Sequence, residues 1–121
     1  MTTPLDQYKL FIDDMVSISD SAIAKWVVED GFPDLPENAQ KNELLKSLSK
    51  SQKEVLAEII NDAKSSGIHD VLAYVNEKQN FDEMRIIKNN LELPVEPFNT
   101  EMFYDYIARL NGDQWPEQNE L

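Results

Sequence analysis

Apolar and small residues recur at three- and four-residue intervals along most of this chain, and that spacing constrains the fold more than any other feature. Leu5, Tyr8, Ile12, Met15, Ser19, Ala22 and Trp26 form one such stripe, with Asp6, Asp13, Asp14, Asp20 and Lys25 lying off it. Residues three and four apart share one face of an α-helix, so the pattern reads as amphipathic helices burying one side. Thr3-Pro4-Leu5-Asp6 supplies a start signal: an N-cap Thr, Pro at the first helical position and an acid three residues after the cap. Gly31 suits the stop, which makes a helix over about 4–29. Such a helix would be long for a domain of this size. Ser17-Ile18-Ser19-Asp20-Ser21 carries side chains that compete for backbone hydrogen bonds, so a kink or second start is expected there.

Further helices follow. Two prolines make 32–36 a linker, and Pro36-Glu37 opens a helix through Leu44, Leu45 and Leu48. Ser51-x-x-Glu54 reads as a capping box ahead of Val55, Leu56, Ile59, Ile60 and Ala63, the clearest amphipathic pattern in the chain. Ser65-Ser66-Gly67 is expected to stop that helix. Ile68, Val71, Leu72 and Val75 then line the next one, to about Lys78. The period changes to two at Leu91, Leu93 and Val95. With Asn89-Asn90, a pair tolerant of positive φ, residues 84–95 read as a β-hairpin whose second strand is limited by Pro94. Asn99-Thr100-Glu101 is expected to cap a last helix carrying Phe103, Tyr106, Ile107 and Leu110, ended by Gly112. The fold class is therefore α+β and predominantly α-helical: four to five helices packed with one small hairpin, because a lone hairpin is barely stable in water. The 121 residues suit a single domain, 1–121, with an acidic C-terminal tail at 113–121.

The composition excludes several chemistries. With no Cys there is no disulfide framework, thiol catalysis, thiolate zinc site or Fe–S cluster. One His leaves no H-E-x-x-H or Glu-x-x-His metal set, and no EF-hand loop is present, so neither metal nor cofactor is expected. The three glycines stand like helix stops, and no phosphate-cradling or nucleophile-elbow motif occurs. No apolar run is long enough to span a membrane, and the N-terminus lacks a secretory signal, which makes the cytoplasm the expected compartment. Eleven basic against 23 acidic residues give a formal net charge of −12, which repels nucleic acid and anionic lipid. The charge is uneven: Lys41, Lys46, Lys50 and Lys53 oppose an acidic stretch over 92–121. That asymmetry fits two solvated faces, self-association, or docking of a basic partner.

Few residues carry candidate chemistry. His69 sits off its stripe, and Asp70, its neighbour in sequence, is not expected to face it. As a general base it would need a carboxylate from elsewhere; as a boundary histidine it needs nothing. If the chain is an enzyme, His69, Tyr104, Asp105 and Arg109 are the candidates. As an interaction protein it offers Trp115, Tyr104, Arg85 and Arg109, the residue types that concentrate binding energy. Trp115 is equally suited to fold back over the core. Each arginine is expected to pair with a carboxylate through its planar fork.

The segments Ser66-Gly67-Ile68-His69-Asp70-Val71-Leu72-Ala73-Tyr74 and Tyr104-Asp105-Tyr106-Ile107-Ala108-Arg109-Leu110-Asn111-Gly112-Asp113-Gln114-Trp115-Pro116 resemble a family of small uncharacterised bacterial proteins, a domain of unknown function. The resemblance implies a bacterial cytosolic protein and carries no activity. It points to His69 and the 112–116 turn as the place for a shared site. The sequence thus favours a small, acidic, non-catalytic binding or regulatory module acting through protein contacts, as a homo-oligomer or on a basic partner. The alternatives are an enzyme or small-ligand protein with a polar pocket around His69 and the last helix, and an immunity-type or nucleic-acid-mimic inhibitor.

Overall fold

A computed structural model describes residues 2–117. It shows α1 (Pro4–Ser17), α2 (Ala22–Val28), a 3-10 turn (Pro36–Asn38), α3 (Ala39–Lys46), α4 (Lys50–Phe81), β1 (Ile87–Lys88), β2 (Leu91–Glu92) and α5 (Met102–Leu110). The class is α+β and predominantly helical. The chain forms two compact units: one takes the residues up to Ile18 and those from Gly67 onward, the other is Ser19–Ser66. The tail expected at 113–121 is described only to residue 117.

The first unit is built on α1. Thr3 and Asp6 form the reciprocal capping box, and Pro4 occupies the first turn. Tyr8 and Ile12 are fully buried, together with Leu72 of α4, Phe98, and Met102 and Tyr106 of α5. The hairpin pairs Ile87 with Glu92 and Lys88 with Leu91, and Leu93 N–H extends it by donating to Ile86 C=O at 2.9 Å. Asn89 and Asn90 sit at φ 53° and 63°, the left-handed pair that a type I′ turn requires. Buried Gln7 secures the hairpin to α1, because its Oε1 accepts from Lys88 Nζ at 2.9 Å and Asn89 Nδ2 at 3.1 Å.

In the second unit, Ser21 caps α2, and Ala24, Val27 and Leu45 are buried. Gly31, at φ 87°, closes the end of α2 with its N–H on Trp26 C=O at 2.7 Å. Asn42 then brackets Phe32, accepting from its N–H at 2.8 Å and donating to its C=O at 3.1 Å.

The second start expected at 17–21 is present: the stretch over 4–29 is two helices, because Ser17 turns its hydroxyl onto Asp14 C=O and Ser21 starts a new cap. Several other expectations are corrected. The break resets the phase, so Ala24 and Val27 are buried in place of Ala22 and Trp26. The capping box ahead of α4 is Ser49 with Gln52, not Ser51 with Glu54: each side chain satisfies the other's backbone N–H. Ser65-Ser66-Gly67 does not stop α4, which runs through 32 residues; Gly67 stays helical with nothing near its missing Cβ. Val55 and Ile59 are more than half exposed, as is Val71, while Leu56 and Ile60 are half-buried. The side chains of Asn99, Thr100 and Glu101 do not cap α5. Asn76 of α4 does so, with its Oδ1 accepting from Met102 N–H at 2.8 Å.

Candidate functional site

Residues 98–116 build a cavity in the first unit. It encloses about 220 Å³ and is lined by Phe98, Thr100, Tyr104, Asp105, Arg109 and Trp115, with Ala108, Asp113, Gln114 and Pro116 completing the wall. The amphipathic phase of α5 explains its position. Met102 and Tyr106 turn into the core, which places Asp105 and Arg109 along the flank that faces α1 and the returning chain. Gly112, at φ 90°, ends α5 and sends the chain back. Asp113 N–H on Ala108 C=O at 2.9 Å fixes that turn and brings Trp115 over the core.

Asp105 is buried and holds two hydroxyls. Tyr8 donates to its Oδ2 and Thr100 to its Oδ1. Burial pushes the Asp105 carboxyl above the usual carboxylate range; the hydroxyls of Thr100 and Tyr8 work against that rise, and nearby Glu101 and Glu96 add to it. Burial, followed by the bond to Asp105, raises the Tyr8 phenol as well.

Arg109 is committed elsewhere. Its Nε donates to Asp13 Oδ1 at 2.8 Å and its Nη2 to Asp13 Oδ2 at 3.2 Å, a two-point pair between α5 and α1. Its Nη1 donates to Asp113 C=O at 2.8 Å. The guanidinium also lies 4.9 Å from the Trp115 ring centroid, while Phe98 stacks on that ring at 5.4 Å and 25°. Phe98, Trp115 and Arg109 therefore form a layered wall.

Three of the four residues named for a catalytic reading, Tyr104, Asp105 and Arg109, meet at this cavity. His69 does not line it. It stands on α4 with its ring 4.8 Å from that of Phe103, and its Nδ1 lies 3.3 Å from Asp70 Oδ1. Asp70 thus does face His69, contrary to expectation, because the two side chains swing toward each other at the surface of the helix. Tyr104 is more than half exposed, Trp115 is half-buried against Tyr8 and Phe98, and Arg85 lies 3.4 Å from Glu92 across the hairpin. Tyr8, Asp13 and Thr100 are not legible as site residues, whereas Asp113 falls within the 112–116 turn that the resemblance points to. Tyr8 reads as core and Thr100 as a cap, and Asp13 is one acid among 23. Only the fold supplies their partners.

Other features are less suited to recognition. A wider and more open groove of about 780 Å³ lies in the second unit beside Gly31, Asn42, Lys46 and Lys53. The Asn42 side chain in its wall is consumed in holding Phe32. Among the described residues no group of three or more His, Cys, Asp or Glu is placed to hold a metal ion, and no helix is long and apolar enough to cross a membrane.

The fold and cavity define a small helical α+β protein with a small cleft, mostly apolar but holding a buried carboxylate, beside α5. The chain belongs to a family of unknown function, DUF6547, whose model matches residues 1–117. Neither the curated proteins nor the solved structures gave a match.

Proposed function

We propose that the chain is a non-catalytic binding module whose recognition element is the cleft formed by Tyr104, Asp105 and Arg109. The observation that carries this reading is the placement of a buried carboxylate, with no basic partner, in the wall of an aromatic-sided cavity. Catalysis is disfavoured by the same geometry. Arg109 is held by Asp13 and His69 lies outside the cleft, so Asp105 has neither a histidine beside it nor a free guanidinium to stabilise developing charge. A cavity of this size suits a single functional group or a very small molecule. A cytoplasmic location and a bacterial origin belong to the same proposal. The test is an NMR screen of small neutral, cationic and anionic compounds. Saturable shifts at the backbone amides of Tyr104, Asp105, Ala108 and Arg109 are expected from at least one class; none from any class contradicts the reading.

A second reading concerns protein contacts. Val55 and Ile59 leave an apolar strip on α4 that is 56% and 57% exposed, beside Lys50 and Lys53. Apolar surface rimmed by charge favours self-association or a protein partner. Light scattering across a salt series checks it, with a salt-insensitive monomer as the contrary result.

A further inference from the structure

We propose that the ligand of this cleft presents a primary ammonium group to Asp105. The inference rests on the binding reading above and assigns the chemistry of what is bound. Among the described residues Arg109 is the only basic one in the cavity wall, and its charge is already matched by the two-point pair with Asp13. Asp105 is therefore left without a cation. The charged groups that act on it, Glu101 and Glu96, are both acids, and Tyr8 of α1 and Thr100 face it as neutral donors. Asp113 adds a further acid to the lining.

A buried carboxylate surrounded by acids is stabilised when a positive group enters its site. An anion would meet Asp105 and Asp113 with the guanidinium already occupied. A metal ion would need more ligating side chains than the described residues bring together. An organic cation needs only one carboxylate, and the ring of Tyr104 and the apolar surface of Phe98, Ala108 and Pro116 suit a short alkyl stem behind the charge. Two sources offer this chemistry: a free small amine, and a lysine side chain of a partner protein.

The test follows amide shifts by NMR during titration with butylammonium, its neutral analogue 1-butanol, butyrate, and a short end-blocked peptide with one lysine. Butylammonium is expected to shift Tyr104, Asp105 and Ala108 and to bind at least about tenfold tighter than butanol. Affinity should fall by a similar factor in Asp105→Asn and on acidification, as Asp105 takes up a proton. Tighter binding of the peptide than of butylammonium assigns the source as a partner protein; the reverse assigns a free amine. If Asp105→Asn fails to fold, Asp13→Asn decides. By releasing Arg109 beside the cavity, it should weaken butylammonium binding and strengthen that of butyrate. No change in either overturns the proposal. Butanol or butyrate binding the cleft as tightly as butylammonium also overturns it, while leaving the cleft a ligand site. Silence from all four compounds removes both readings.

Discussion

Tyr8 on α1 and Asp105 on α5 lie 97 positions apart in sequence and share a buried hydrogen bond, with the phenol donating to the carboxylate. Tyr8 sits in the core and Asp105 lines the cleft, so this contact ties the packing of the first unit to its cavity. Tyr8→Phe keeps the ring among Ile12, Phe98 and Tyr106 but removes the donor. A loss of about 1.5–3 kcal/mol is expected from urea denaturation, the range for a hydrogen bond to a charged group.

The pH dependence of stability should separate two carboxylates. The folded state raises the Asp105 carboxyl above its ordinary value, so its contribution is fully present below the unfolded pKa and is lost as pH rises through the folded pKa. Glu96 is opposite. Hydrogen bonds from Asn76 at 3.0 Å and Asn80 at 2.7 Å lower its carboxyl, so its contribution is present above the unfolded pKa and is lost as pH falls. Asn cannot ionise, so the destabilisation caused by Asp105→Asn should shrink as pH rises from about 4 to about 7. Parallel pH profiles for the wild type and the variant would contradict this assignment.

Asn76 is the hub between α4 and the segment entering α5. It is buried, donates to Glu96 and accepts from Met102 N–H. Asn76→Ala leaves that N–H without its partner and should cost about 2–3 kcal/mol by thermal or urea unfolding.

Gly67 lies in the middle of α4 with helical backbone and open space around it. Gly67→Ala should stabilise the protein by about 0.5–1 kcal/mol, since Ala loses less backbone freedom on folding and meets no obstacle.

Local chemistry made part of this fold legible. Thr3-Pro4-Leu5-Asp6 announces α1, Asn89-Asn90 the hairpin turn, and Gly112 the end of α5. Long-range competition hid the rest. Gly67 looks like a stop, yet α4 runs through it without interruption. Val55 and Ile59 look like core because periodicity reports a shared face without saying whether anything covers that face. Three of the cleft residues were visible as polar or aromatic side chains on one helix. Their meaning depends on Tyr8 and Asp13, which approach from α1, nearly the whole chain away.

The cleft itself is tested most directly by a crystal structure grown in butylammonium near neutral pH. A bound cation within hydrogen-bonding distance of Asp105, with Arg109 still paired to Asp13, is the expected result. A cleft filled by its own side chains, or Arg109 turned from Asp13 onto Asp105, would contradict it.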